Sequence, residues 1–154
     1  MKKALLAMVV VAAAGYGVYR WRAHEAPVAA KTDSNLVTNR LWIDHLPRGE
    51  RDTIQVFAAI TEEPIGVFEA ASRWKGEFEF FRYEQHGDEL RIFFPQSNTR
   101  DKVRAKATEC NRGGMDYCLE LEGSSHGVKK YYSREGWEIG STRDAEVLIN
   151  KLAL

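Results

Sequence analysis

The chain has 154 residues, with 22 Lys and Arg balanced by 22 Asp and Glu, and 44% of its residues are hydrophobic. That length suits one domain of ordinary size plus a targeting segment. Residues 1–30 carry four basic residues and one acidic residue, leaving 18 basic against 21 acidic beyond them, so no net basic field points to a nucleic-acid partner.

The chain opens with Lys2 and Lys3 before an uncharged run of sixteen residues, ALLAMVVVAAAGYGVY, which RWR closes at residue 22. A basic start followed by an apolar stretch is the pattern of a secretory signal or an uncleaved signal anchor. The run is short for a spanning helix, but Trp21 and the Arg20 and Arg22 side chains are suited to the interface. We read 1–22 as a signal anchor or signal peptide that places the rest of the chain outside the cytoplasm, on the membrane or secreted after cleavage. Residues 23–35 follow as a linker, small and polar with Pro27 in it. The domain then runs from 36 to 154.

From there, apolar bursts alternate with turn signals. Strands are expected at 40–46 (RLWIDHL), 53–60 (TIQVFAAI), 65–70 (IGVFEA), 73–84 (RWKGEFEFFRYE) and 89–95 (ELRIFFP), with PRGERD, TEEP and QHGD as turns. Three more are expected at 102–110 (KVRAKATEC), 117–123 (YCLELEG) and 128–139 (VKKYYSREGWEI). Only the C-terminal stretch changes period. Ala145, Leu148, Ile149 and Leu152 recur at helical spacing after Ser141 or Thr142 as N-cap, so a helix is expected at about 142–153.

The two cysteines, Cys110 and Cys118, flank a Gly-Gly tip in ATECNRGGMDYCLELEG. Seven intervening residues do not match a Cys-x-x-Cys redox site, and the four histidines are scattered with none at metal-ligand spacing. A hairpin with Cys110 opposite Cys118 sets Thr108 against Glu120 and Lys106 against Glu122. It gathers Val103, Ala105, Ala107, Leu119 and Leu121 on the other face. The pair therefore reads as a structural disulfide, as expected outside the cytoplasm. Lys102, Arg104 and Lys106 share the polar face, as a solvated strand surface does.

Eight sequential strands without helical crossovers imply an all-β antiparallel meander, closed into a barrel or strongly curved, with the terminal helix on its outside or across one mouth. In architecture this layout resembles the lipocalin kind of barrel. The Gly-x-Trp that marks the first lipocalin strand is absent, since Trp42 follows Arg40 and Leu41, so no family and no residue roles are carried over.

Fourteen aromatics lie between Trp42 and Trp137. Consecutive pairs such as Phe80-Phe81 and Phe93-Phe94 must place one ring outward, because neighbouring strand side chains face opposite ways. The leading functional reading is a non-catalytic, envelope-associated domain binding a small apolar ligand with interior aromatics. Trp74, Phe78, Phe80 and Tyr131 are the candidate lining residues, and the mouth near the helix is the entrance. The alternative is an envelope interaction or assembly module docking a partner through exposed aromatics. A hydrolase is the weakest reading, since it needs Asp44, His45 or His126 to converge in one cleft, and Asp44 and His45, as strand neighbours, would face apart. His86 and His126 beside glycines read as turn residues. Neither a cofactor nor a metal is expected, and no catalytic residue is assigned.

Overall fold

The computed structural model describes residues 34–74 and 76–152. The expected anchor at 1–22 and most of the expected linker lie outside the described residues. After a 3-10 turn at Ser34–Leu36, eight strands follow: β1 Arg40–Ile43, β2 Ile54–Ile60, β3 Ile65–Ala71, β4 Gly76–His86, β5 Glu89–Phe94, β6 Thr99–Arg112, β7 Met115–Glu122 and β8 Lys130–Ser133. A helix, α1, spans Thr142–Leu152. Each strand pairs antiparallel with the next, and β8 returns to β1 to close the barrel. The turns are built where the sequence can form them. Gly113 and Gly114, both at positive φ, make the two-residue β6–β7 tip, and Gly87 at φ 63° begins the β4–β5 turn.

The closing seam differs from expectation. The strand expected at 128–139 ends at Ser133, and Gly136, at φ 81°, turns the chain. Residues 137–139 then come back beside β1, where the Leu41 amide donates to the Trp137 carbonyl and the Ile139 amide to the Asn39 carbonyl, both at 2.9 Å. Ile43 opposite Tyr132 completes the seam.

The barrel interior is filled. Trp42, Phe57, Phe68, Phe81, Phe94 and Tyr131 are buried together with the small Ala105 and Ala107. The rings of Phe57, Phe68 and Phe81 lie 5.1–6.0 Å apart, the offset and tilted spacing aromatic clusters favour. Gly66 admits this packing, because a Cβ there would stand 2.2 Å from the Phe81 ring. An eight-stranded barrel is just wide enough for such a fill.

Both mouths are covered. At one, the His126 ring lies 4.1 Å from that of Phe94, and the Tyr131 hydroxyl accepts the Val128 amide at 2.9 Å. Burial pushes the Tyr131 phenol up to about 12. At the other, the buried Arg40 guanidinium stacks over Tyr117 at 4.2 Å. It donates to the Arg134 carbonyl at 2.7 Å and to Glu138 at 2.5 Å.

A second apolar layer lies outside the barrel wall. Leu41, Ile43, Ile54, Val56, Ala58 and Ile60 face outward from β1 and β2 and are buried with Ala145, Leu148, Ile149 and Leu152 of α1. Ser141 caps the helix. Its hydroxyl accepts the Asp144 amide at 3.2 Å, while the Asp144 carboxylate accepts the Ser141 hydroxyl at 2.8 Å and the Gly140 amide at 3.1 Å.

Cys110 and Cys118 form a disulfide, with Cα atoms 5.7 Å apart. The register around it is two residues from the expected one: Thr108 pairs with Cys118, Lys106 with Glu120 and Arg104 with Glu122. The tight Gly113–Gly114 tip pairs Arg112 with Met115, and a bulge between Glu109 and Arg112, with Asn111 at φ 43°, absorbs the difference. A slip of two residues preserves alternation. Val103, Ala105, Ala107, Leu119 and Leu121 therefore still point inward, with the half-buried cysteines on the outer side.

Candidate functional site

The outer apolar layer is wider than the helix that covers it. Beyond α1, the register sets Val67 of β3 opposite Phe80 of β4, and Glu69 opposite Phe78. Because Phe81 takes the inward place beside Gly66, Phe78 and Phe80 must point out. Their rings lie 4.9 Å apart, and they remain 59% and 47% exposed. Between these rings and α1 runs a groove of about 500 Å³. Ile60, Ile65 and Val67 form its floor, Phe78 and Phe80 one wall, and Ala145, Glu146 and Ile149 the other. Large aromatics beside a partly covered apolar floor mark a place where something else is bound.

This placement corrects the expected interior site. Of the four candidate lining residues, only Tyr131 lies inside the barrel. Phe78 and Phe80 line the outer groove, and Trp74, 73% exposed in the β3–β4 turn, stands outside with Arg73 5.3 Å from its ring. Tyr131 is not brought to the other three. Sequence reasoning missed Val67 and Glu69 of β3 and Glu146 of α1. Val67 and Glu69 share the alternation parity of Ile65, but only the β3–β4 register reveals that this face meets Phe78 and Phe80.

Glu69 is the one carboxylate that β3 contributes to the groove. It sits between Val56 of β2 and Phe78 of β4, and burial holds its carboxyl above the usual range. No hydrogen-bond or ion-pair partner faces it among the described residues.

Of the residues singled out for acid–base chemistry, Asp44 and His45 share one depression and His126 lines another. β1 ends at Ile43, so Asp44 and His45 lie in a bend rather than a strand, and they do meet: His45 Nδ1 is 2.9 Å from Asp44 Oδ1, against the expectation that they face apart. His45 Nε2 lies 3.1 Å from Asp52. The Arg48 amide, foremost, and His45 hold the Asp52 carboxyl below its usual range. Both imidazole nitrogens are thus occupied by carboxylates, and the surrounding depression is lined by Arg48, Arg112 and Tyr132, with no serine, threonine or cysteine lining it among the described residues.

His126 lines a different depression with Phe68 and Glu77. Its Nδ1 is 2.9 Å from the Ser125 hydroxyl, which in turn is 2.7 Å from Asp101. In this order the serine stands between carboxylate and imidazole, where a triad needs the imidazole in the middle. The Ser125 hydroxyl donates its hydrogen bond to Asp101, which leaves it only as an acceptor for the ring and not a nucleophile prepared by it. His86 is exposed, 3.6 Å from Glu84. Among the described residues, no group of three or more His, Cys, Asp or Glu is arranged to hold a metal ion.

No protein-family model, no curated protein and no solved structure matches this chain.

Proposed function

We propose that the protein is a non-catalytic β-barrel binding domain, lipocalin-like in layout, that takes a small apolar ligand in the groove between α1 and β3–β4 rather than in the barrel interior. The observation that carries this reading is the exposure of Phe78 and Phe80 beside a floor of Ile60, Ile65 and Val67. Apolar rings left in water at the edge of a concavity gain about 25 cal/mol per Å² of area covered, and a ligand supplies that cover. The apolar run at 4–19 and the disulfide support a tethered, extracytoplasmic placement.

Titration of the full chain with a neutral fluorescent apolar probe such as Nile red tests the assignment. Val67→Trp, which fills the groove from its floor, should abolish binding, and Phe80→Ala should weaken it several-fold, both with unchanged far-UV circular dichroism. Probe binding that survives Val67→Trp would move the site elsewhere.

Trp74 favours a second reading, an assembly module for an envelope protein. It is the most exposed large ring of the three and does not line the groove. Under this reading Trp74→Ala abolishes a stoichiometric complex recovered by cross-linking, while probe binding is untouched.

A further inference from the structure

We propose that the groove selects amphiphiles with a cationic head, and that Glu69 is the residue that receives the head; this rests on the reading of the groove as a ligand site. The groove is apolar along its floor and wall, yet two carboxylates line it, Glu69 from β3 and Glu146 from α1, and no Lys, Arg or His does so among the described residues.

Glu69 is held in place by its neighbours. Val56 and Phe78 flank it in register, and Gly76 gives it room, since a Cβ there would stand 3.2 Å from its Oε1. With no partner among the described residues, this half-buried carboxylate loses part of its hydration without a compensating contact from them. Its carboxyl is raised by that burial, as the geometry requires.

Three head-group classes meet this arrangement differently. An anionic head is repelled by both carboxylates. A neutral hydroxyl head can donate one hydrogen bond to Glu69, but it brings no opposite charge to offset the carboxylate's desolvation when the tail covers Phe78. An ammonium head places its N–H donors on the carboxylate while its alkyl tail lies along Val67 and Phe80 toward Ile149, so the same binding event covers the apolar wall and pairs the charge. The groove therefore discriminates by repulsion against an anionic head as well as by charge pairing in favour of an ammonium one.

Calorimetric titration of the full chain with dodecylammonium and dodecyl sulfate, each below its micelle concentration, and with dodecanol below its solubility limit, tests this. Dodecylammonium should bind about tenfold or more tighter than dodecanol, the added attraction of one partly buried charge pair, with dodecyl sulfate weakest. Glu69→Gln should bring dodecylammonium down to the dodecanol level and leave dodecanol at least as tight, while Glu69→Asp keeps the ordering. Equal affinity of the three ligands for the native chain overturns the inference but leaves the groove as an apolar site. A preference for dodecylammonium that persists in Glu69→Gln likewise overturns it. Absence of binding by both dodecanol and dodecylammonium removes the groove reading itself.

Discussion

Glu69 shows how a single residue can work against the fold and for the site. Around it, β2 presents uncharged Val56, β4 brings Phe78 with Glu77 and Glu79 near by, α1 brings Glu146, and the loop after β7 brings His126. Among the described residues none relieves the desolvation by burial that raises its carboxyl. A folded-state value above the unfolded one means that the native chain binds more protons between the ordinary carboxylate range and the raised value. Stability therefore falls as pH rises through that window. Glu69→Gln should flatten this part of a urea-midpoint curve measured against pH and leave the variant more stable than the native chain at neutral pH. An unchanged slope would mean that the carboxylate is solvated. Asp144 works in the opposite direction: the Ser141 hydroxyl and then the Gly140 amide hold its carboxyl low. Its contribution to α1 is present above the usual carboxylate range and is lost as the solution is acidified through its folded value.

Among the elements, the β6–β7 hairpin and α1 carry the clearest consequences. The disulfide closes a loop between positions eight apart in sequence, which in the chain-entropy account stabilises by about 2–3 kcal/mol. Replacing both cysteines by serine should lower stability by that order in urea denaturation without opening the barrel, since Ala105, Ala107, Leu119 and Leu121 remain packed inside. Collapse of the near-UV circular dichroism would show that the bridge holds more than the hairpin. The parity of this hairpin was legible in the sequence because alternating apolar and polar residues reveal which side chains share a face. Its register was not, because the bulge at Cys110 and Asn111 depends on the positive φ that Asn111 adopts beside a two-glycine turn. The start of α1 was legible for a local reason also, as Ser141 and Asp144 stand at the spacing of a reciprocal cap. Where that helix would lie was not.

For the whole molecule, closure is the property with the most to measure. The seam between β1 and the C-terminal strand is short: Ile43 against Tyr132, then residues 137–139 against 39–41. By comparison, β2 and β3 are in register over seven residues, as are β3 and β4. Local opening draws on the least-bonded part of a structure. The amides of Leu41 and Ile139 should therefore exchange with deuterium faster than those of Ala58 and Phe81, which face β3 inside the long ladders, yet far more slowly than exposed loop amides. Exchange at the loop rate would mean an open sheet. The Arg40 guanidinium reinforces the seam by joining Arg134 and Glu138 to the first residue of β1.

Strand number, strand order, most of the turns, the pairing of the cysteines and the terminal helix followed from the sequence, because each depends on periodicity or on turn residues within a dozen positions; the turn at Gly136 inside the expected last strand did not. The inward face of β1 and β2 did not follow. Leu41-Trp42-Ile43 and Val56-Phe57-Ala58 are buried on both sides, so alternation carries no signal there, and only the barrel on one side and α1 on the other decide. For the same reason the aromatics expected inside were divided by the tertiary structure, with Tyr131 in the core and Phe78 and Phe80 on the wall of a groove. Which neighbour covers a ring is set by cross-strand register and by the resting place of a distant helix, and neither is written in the spacing of residues along one strand.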